Sequence, residues 1–145
     1  MGKAADEIGW RRYRRTGRVT ARRLDAPRRW LTEAGDTMTA QAGDWWLTDT
    51  VPRSDGSPRS WSIGDRQFAA AYRLADDTGP EPIFQRNGEM AARPARPGEI
   101  VYSREGQETA RAGDWIACDD DGDWWIVPAD HFRRVYTLIT VAAAG

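Results

Sequence analysis

Apolar and polar positions alternate along this chain in short runs, separated by Gly, Pro and Asp. That is the pattern of half-buried strands joined by turns. The runs predict strands at residues 18–24, 28–32, 36–41, 44–49 and 59–63, and again at 89–93, 99–103, 107–111, 114–118 and 123–127. A closing strand is predicted at 136–142. Asp-Gly pairs, Asp55-Gly56 and Asp121-Gly122, sit in the loop before the fifth strand of each set; this dipeptide tolerates the positive φ angles of a hairpin turn. The period changes once per set. Phe68 and Tyr72, and later Phe132 and Tyr136, are spaced i, i+4, which puts both rings on one face of a short helix.

The two sets are related as a repeat. Ala42-Gly43-Asp44-Trp45 recurs as Ala112-Gly113-Asp114-Trp115, a shift of 70. The segment from Tyr13 to Arg22 answers that from Phe84 to Arg93, with Gly17 matching Gly88, at a shift of 71. Trp61-Ser62-Ile63 answers Trp125-Ile126-Val127, and Phe68…Tyr72 answers Phe132…Tyr136, at a shift of 64. The shift falls because the first copy has the longer loop, residues 50–59. Four anchors in one order imply a tandem duplication, with copies at 10–76 and 81–142 and a short joint at 77–80. A β unit of about 65 residues has a small core and is marginal alone. The expected fold is therefore mostly β: two tandem small β-barrel or curved-sheet units, each with a short helix, docked pseudo-symmetrically.

Composition adds two features to this picture. The 145 residues include eight Trp, at 10, 30, 45, 46, 61, 115, 124 and 125, with four Tyr and three Phe. Each ring buries on the order of 150–250 Å², enough for a compact core with few Leu and Ile. The formal net charge of −1 hides a strong asymmetry. Residues 1–35 are net +6, with Lys3 and nine arginines against Asp6, Glu7, Asp25 and Glu33, while residues 113–130 hold six Asp and no Lys or Arg. No apolar stretch is long enough to span a bilayer, so no membrane partner is expected. Met1–Glu7 lack the apolar run of a signal peptide. The single cysteine, Cys118, suits a reducing cytoplasm and excludes an internal disulfide.

The anchors common to both copies read as scaffold. Gly supplies an unusual backbone angle, Asp caps the turn by accepting backbone N–H bonds, and Trp opens the next strand facing the core. Gly-Asp-Trp, followed by a Gly-acidic-x-Trp hairpin and Phe-x-x-x-Tyr, resembles a family of small phage and bacterial proteins with Pro-Gly-Asp-Tyr, Gly-Glu-x-Tyr-Pro and Phe-x-x-x-Tyr motifs. Tyr13-Arg14-Arg15-Thr16-Gly17, followed by Val19 and Ala21, is similar to that family's start. Here Ala42 and Ala112 replace the Pro, and Trp45 and Trp115 the Tyr. The resemblance implies a fold and a phage-linked history, and assigns no catalytic residue.

Positions that differ between the copies point to function. On strand 59–63, Trp61 and Ile63 face one way and Ser60 and Ser62 the other, because strand side chains alternate. In the second copy the corresponding polar face has become Trp124 and Ile126. Two accounts compete: these residues cover an interface between the copies, or they form, with Asp121 and Asp123 of the acidic loop, an exposed patch that binds a partner. Trp10 has no counterpart, and one role for it is to pin the N-terminal arm. The arginine-rich segment carries a second possibility. Arg11, Arg12, Arg14, Arg15 and Arg18, with Trp10 and Tyr13 among them, have the chemistry to contact phosphates and stack on bases. The alternatives for them are a solvated strand edge or neutralisation of the acidic loop.

Metal and catalytic readings find less support. Asp119-Asp120-Asp121-Gly122-Asp123 places Gly at position four, where a helix-loop-helix calcium loop needs it at six. No metal or cofactor is therefore implied. His131 and Cys118 belong to no Ser-His-Asp or Cys-His constellation, which leaves only carboxylate acid–base chemistry, as from Asp114 with Asp123 or Asp130. The sequence thus favours a non-catalytic binding or interaction module acting on an unknown protein or small ligand, with nucleic-acid binding and a small carboxylate enzyme as alternatives.

Overall fold

The structure is a computed structural model that describes residues 9–140. Lys3, Asp6 and Glu7 of the basic start, the rest of the segment Met1–Glu7, and residues 141–142 of the expected closing strand lie outside them. No helix among the described residues is long and apolar enough to cross a membrane. The first part of the chain forms β1 (Arg11–Arg15), β2 (Arg18–Arg23), β3 (Arg28–Leu31), β4 (Thr37–Ala40), β5 (Trp45–Asp49), β6 (Ser60–Ile63), α1 (Asp65–Ala71) and β7 (Tyr72–Asp76). The second forms β8 (Ile83–Arg86), β9 (Glu89–Pro94), β10 (Ile100–Ser103), β11 (Gly106–Thr109), β12 (Trp115–Cys118), β13 (Trp124–Val127), α2 (Ala129–Val135) and β14 (Tyr136–Leu138).

The protein is mostly β and its sheets are antiparallel, as the alternating pattern requires, but none of them closes into a barrel. One five-stranded sheet has the order β6-β5-β2-β8-β7 and the other β13-β12-β9-β1-β14. Both stay open because their outermost strands, β6 and β7 in one sheet and β13 and β14 in the other, do not pair with each other.

The chain divides into two compact units, one spanning Thr16–Gly88 and the other joining the segment up to Arg15 to the segment from Glu89 onward. Relative to the sequence copies, the units exchange their leading strands. β1 pairs with β9 and β14, and β8 pairs with β2 and β7. The sequence pattern left 11–15, 83–86 and 72–76 without strands, and it read Gly17 and Gly88 as turns opening the first strand of each copy. Both glycines do take positive φ, 87° and 86°. Neither turns the chain back on its neighbour: Arg14 lies opposite Glu89 and Arg18 opposite Gln85. A strand so dominated by arginine finds its partner through Tyr13, its one buried residue, which seats against Met90 of the partner strand and is a member of that unit's core.

In each unit the core is a sheet face roofed by rings. Ala21 and Leu47 lie under Trp45, Phe68 and Tyr72, and Ala92 and Ala117 under Trp115, Phe132 and Tyr136. The rings stack in the same order. Trp45 is 3.9 Å from Phe68 and Phe68 is 5.1 Å from Tyr72 between centroids; Trp115 is 4.0 Å from Phe132 and Phe132 is 4.8 Å from Tyr136. Offset stacks of this kind add about 0.5–1.5 kcal/mol per pair beyond area burial. The Gly-Asp turn sets the Trp. The Asp44 carboxylate accepts from the Gln41 N–H at 2.8 Å, and Asp114 accepts from the Arg111 N–H at 2.8 Å. Gly43 and Gly113 hold φ of 91° and 88° at these turns.

The opposite face of the second unit's sheet is closed near β10 by an ion pair. Arg93 on β9 donates to both carboxylate oxygens of Glu99, which also accepts the Arg96 N–H at 3.0 Å. These bonds hold the Glu99 carboxyl well below its usual range, at about 2.

Two outcomes follow from these interactions. Residues 16–88 contain every strand of one sheet, so this segment expressed alone is expected to unfold cooperatively and to give a structured near-ultraviolet circular dichroism spectrum from its Trp residues; a featureless spectrum, with the full chain folded, contradicts the division. Because the Glu99 pKa is depressed, its contribution is full above its ordinary value near 4.5 and fades as pH falls toward about 2. Glu99→Gln is therefore expected to cost about 1–2 kcal/mol at neutral pH, and the gap from the parent in denaturant titrations should close between pH 5 and pH 2.

Candidate binding surfaces

The Trp124–Ile126 face is largely occupied by its own unit. Cys118 pairs with Trp124 and Ile116 with Ile126 across β12 and β13, so these four share a face with Ala91 and Arg93 of β9. Trp10, Ala91, Val101, Ile116 and Cys118 form a second buried cluster there, and Ile126 packs against it. Trp10 is 6% exposed and meets Trp124 edge-on at 5.3 Å, with the Arg93 guanidinium over its ring at 5.2 Å. Trp10 packs onto this patch. Trp124 keeps 37% exposure on the outermost strand, so what remains open is one indole edge.

Asp121 and Asp123 are exposed at the hairpin tip beside it. The tip is organised by Asp119, whose Oδ1 accepts the Asp121 and Asp123 N–H groups at 3.0 Å each. Gly122 turns the hairpin with φ of 89°. Partial burial, and then the neighbouring Asp123 and Asp121 charges, raise the Asp119 carboxyl against the lowering effect of those N–H bonds. Burial is also the main cause that raises the Cys118 thiol. Among the described residues no three His, Cys, Asp or Glu side chains stand close enough to hold a metal ion.

The N-terminal arginines are dispersed by the alternation of their strands. Arg12 reaches Asp120 at 3.1 Å and Glu89 at 3.5 Å, and Arg14 lies 3.9 Å from Glu89. Arg15 sits over Trp125 at 6.0 Å, and Arg18 donates to Gln85 at 3.2 Å. Arg11 is exposed. The contact of Arg12 with Asp120 is the neutralisation of the acidic loop that the sequence allowed. These five residues do not converge on one surface: their side chains alternate between the two faces of β1, and Arg18 belongs to the other unit.

A different set of residues does converge, on the outer face of the Thr16–Gly88 unit. Arg22, Trp46 and Ser62 lie abreast on β2, β5 and β6. The β3–β4 hairpin lays Trp30 over them: its Nε1 donates to Ser62 Oγ at 2.8 Å, and its ring meets Trp46 edge-on at 6.2 Å. Arg28, from the same strand, places its guanidinium 4.1 Å from the centre of the Trp46 ring. Ser62, expected to be wet, is only 3% exposed because Trp30 covers it.

Comparison position by position shows what is unusual here. Val101 stands where the first copy has Trp30, Ile126 where it has Ser62, and Ile116 where it has Trp46. The first unit fills this face with two indoles and a serine, and the second with three aliphatic side chains and Trp10. The charge is not conserved. Arg93 matches Arg22, and its partner Glu99 matches Arg28. Where one unit has an ion pair, the other has two arginines beside one indole. Arg22 and Arg28 are exposed, and neither makes an ion pair with any described residue. No local pattern shows that residue 28 folds back over residue 46; the hairpin places it there.

The residues of the carboxylate alternative are placed apart in role. Asp114 is buried and committed to its turn, where it also faces the Arg111 guanidinium at 3.4 Å. Asp123 is at the exposed hairpin tip and Asp130 in the first turn of α2. His131 is buried on the same helix, with Nδ1 3.3 Å from Arg134 Nη2.

Compared with known proteins, the chain matches no family model, no curated protein and no solved structure.

Proposed function

We propose that the chain is a non-catalytic binding module derived from two copies of one ancestral β unit, and that its binding surface is the Arg22–Trp46–Arg28–Trp30 face. In the unit that carries Trp124, the equivalent face is filled by Trp10 and Val101 and its charge is closed by the Arg93–Glu99 pair. In the Thr16–Gly88 unit the same face presents Arg22 and Arg28, which have no acidic partner among the described residues. The carrying observation is Arg28 over Trp46 at 4.1 Å. A guanidinium held on an indole is attracted by the ring quadrupole, so it is oriented without being neutralised, and its charge is available to an anionic partner. The resemblance to small phage and bacterial proteins rests on the Gly-Asp-Trp turn and the Phe-x-x-x-Tyr helix. None of the four residues of this surface belongs to it.

The test is retention on a polyanionic matrix such as heparin. The Arg22→Glu/Arg28→Glu double variant is expected to elute at clearly lower salt than the parent, while Arg11→Glu, an equal change per residue on an exposed arginine outside the surface, elutes close to it. Absence of retention for the parent, or equal shifts for both variants, refutes the reading.

The open edge of Trp124 favours a second reading, in which Trp124 with Asp121 and Asp123 contacts a partner. Packing predicts a different role for it. Trp124→Ser is expected to lower stability by roughly 1–3 kcal/mol through loss of the Trp10 contact and to leave heparin retention unchanged. A red shift of tryptophan emission, as Trp10 becomes wetted, is the accompanying signature.

A further inference from the structure

We propose that the ligand of this surface is a single-stranded nucleic acid, with the outer plane of the Arg28 guanidinium stacking on a base and Arg22 contacting the adjacent phosphate. The inference rests on the binding reading above and names its ligand.

Three features carry it. First, the guanidinium of Arg28 lies over the Trp46 ring at a contact distance of 4.1 Å, and the side chain is exposed. A planar cation supported from below by an indole is a platform for a third flat group, and guanidinium planes stack on unpaired bases. Second, the platform is held from its sides. Trp30 meets Trp46 edge-on and is itself tied to Ser62 at 2.8 Å, so little ordering remains to be done on binding. Third, Arg22 lies directly across from Trp46 on the neighbouring strand. Neither Arg22 nor Arg28 makes an ion pair with any described residue.

Two cations beside one ring repel each other, and a bridging phosphate relieves that repulsion. Base faces are hidden inside a duplex and offered by a single strand, so the stacking element selects for the unpaired form. A carboxylate-rich protein or a sulfated polysaccharide would satisfy the charges and leave the platform unused.

The experiment is fluorescence anisotropy of a labelled oligothymidylate with the full chain over a range of salt, beside a duplex of equal length and the heparin elution described above. Arg28→Lys is the diagnostic variant, because it keeps the charge and removes the plane. It is expected to weaken oligothymidylate binding about tenfold while leaving the salt slope and the heparin elution unchanged. Arg22→Gln should reduce the slope of log affinity against log salt by about 0.7, the value for one phosphate contact on a single strand. Equal affinity for duplex and single strand, or an Arg28→Lys variant that binds oligothymidylate like the parent, overturns the nucleic-acid assignment. If heparin retention still depends on Arg22 and Arg28 in that case, the binding module stands and its ligand is another polyanion. If retention does not depend on them, both readings fall.

Discussion

The core of each unit is built on a three-ring stack. Trp45, Phe68 and Tyr72 in one unit, and Trp115, Phe132 and Tyr136 in the other, are supplied by a strand start, a helix and the strand that follows it. The rings pack on the buried sheet residues Ala21 and Leu47 in one unit and Met90, Ala92 and Ala117 in the other. The rings in turn fix where the helix lies and where the closing strand leaves. A larger residue in the floor would lift the stack and detach three elements at once. This is how so few aliphatic residues make a core: the aromatic area does the burying, and the Gly-Asp turn aims the first ring.

With the inner face of each sheet assigned to that stack, the outer face is free to differ, and the two units have taken different routes. One is sealed with apolar residues and an arginine–glutamate pair beneath Trp10. The other uses a tryptophan cap hydrogen-bonded to a serine, and its Arg22 and Arg28 make no ion pair with any described residue. The two faces thus differ in charge as well as in the side chains that fill them.

The exchange of leading strands bears on stability as well as topology. Each sheet takes a strand with two paired neighbours from the other half of the sequence, so neither half of the chain, cut at the 77–80 joint, contains all the strands of a sheet. The arginine density of β1 is compatible with this position because alternate residues point away from the core. Only Tyr13 is required inside, and Arg12 and Arg14 find Glu89 on the strand alongside.

The sequence by itself determined the strand-rich class, the ring-bearing helices and the Gly-Asp turns. Each of these is set by local chemistry: side-chain alternation, i, i+4 spacing, and the backbone freedom of glycine next to a capping carboxylate. It also located the positions where the halves diverge. Tertiary structure alone decided which divergent positions face outward together. For Trp124 and Ile126 the sequence left an interface and an exposed patch both open, and Trp10 and Val101 cover most of them within their own unit; the hairpin alone placed Arg28 on Trp46. The strand exchange and the open sheets were likewise undetermined locally. A five-residue strand specifies which of its faces is buried, but its neighbour is selected by long-range pairing energies that no window of the sequence contains.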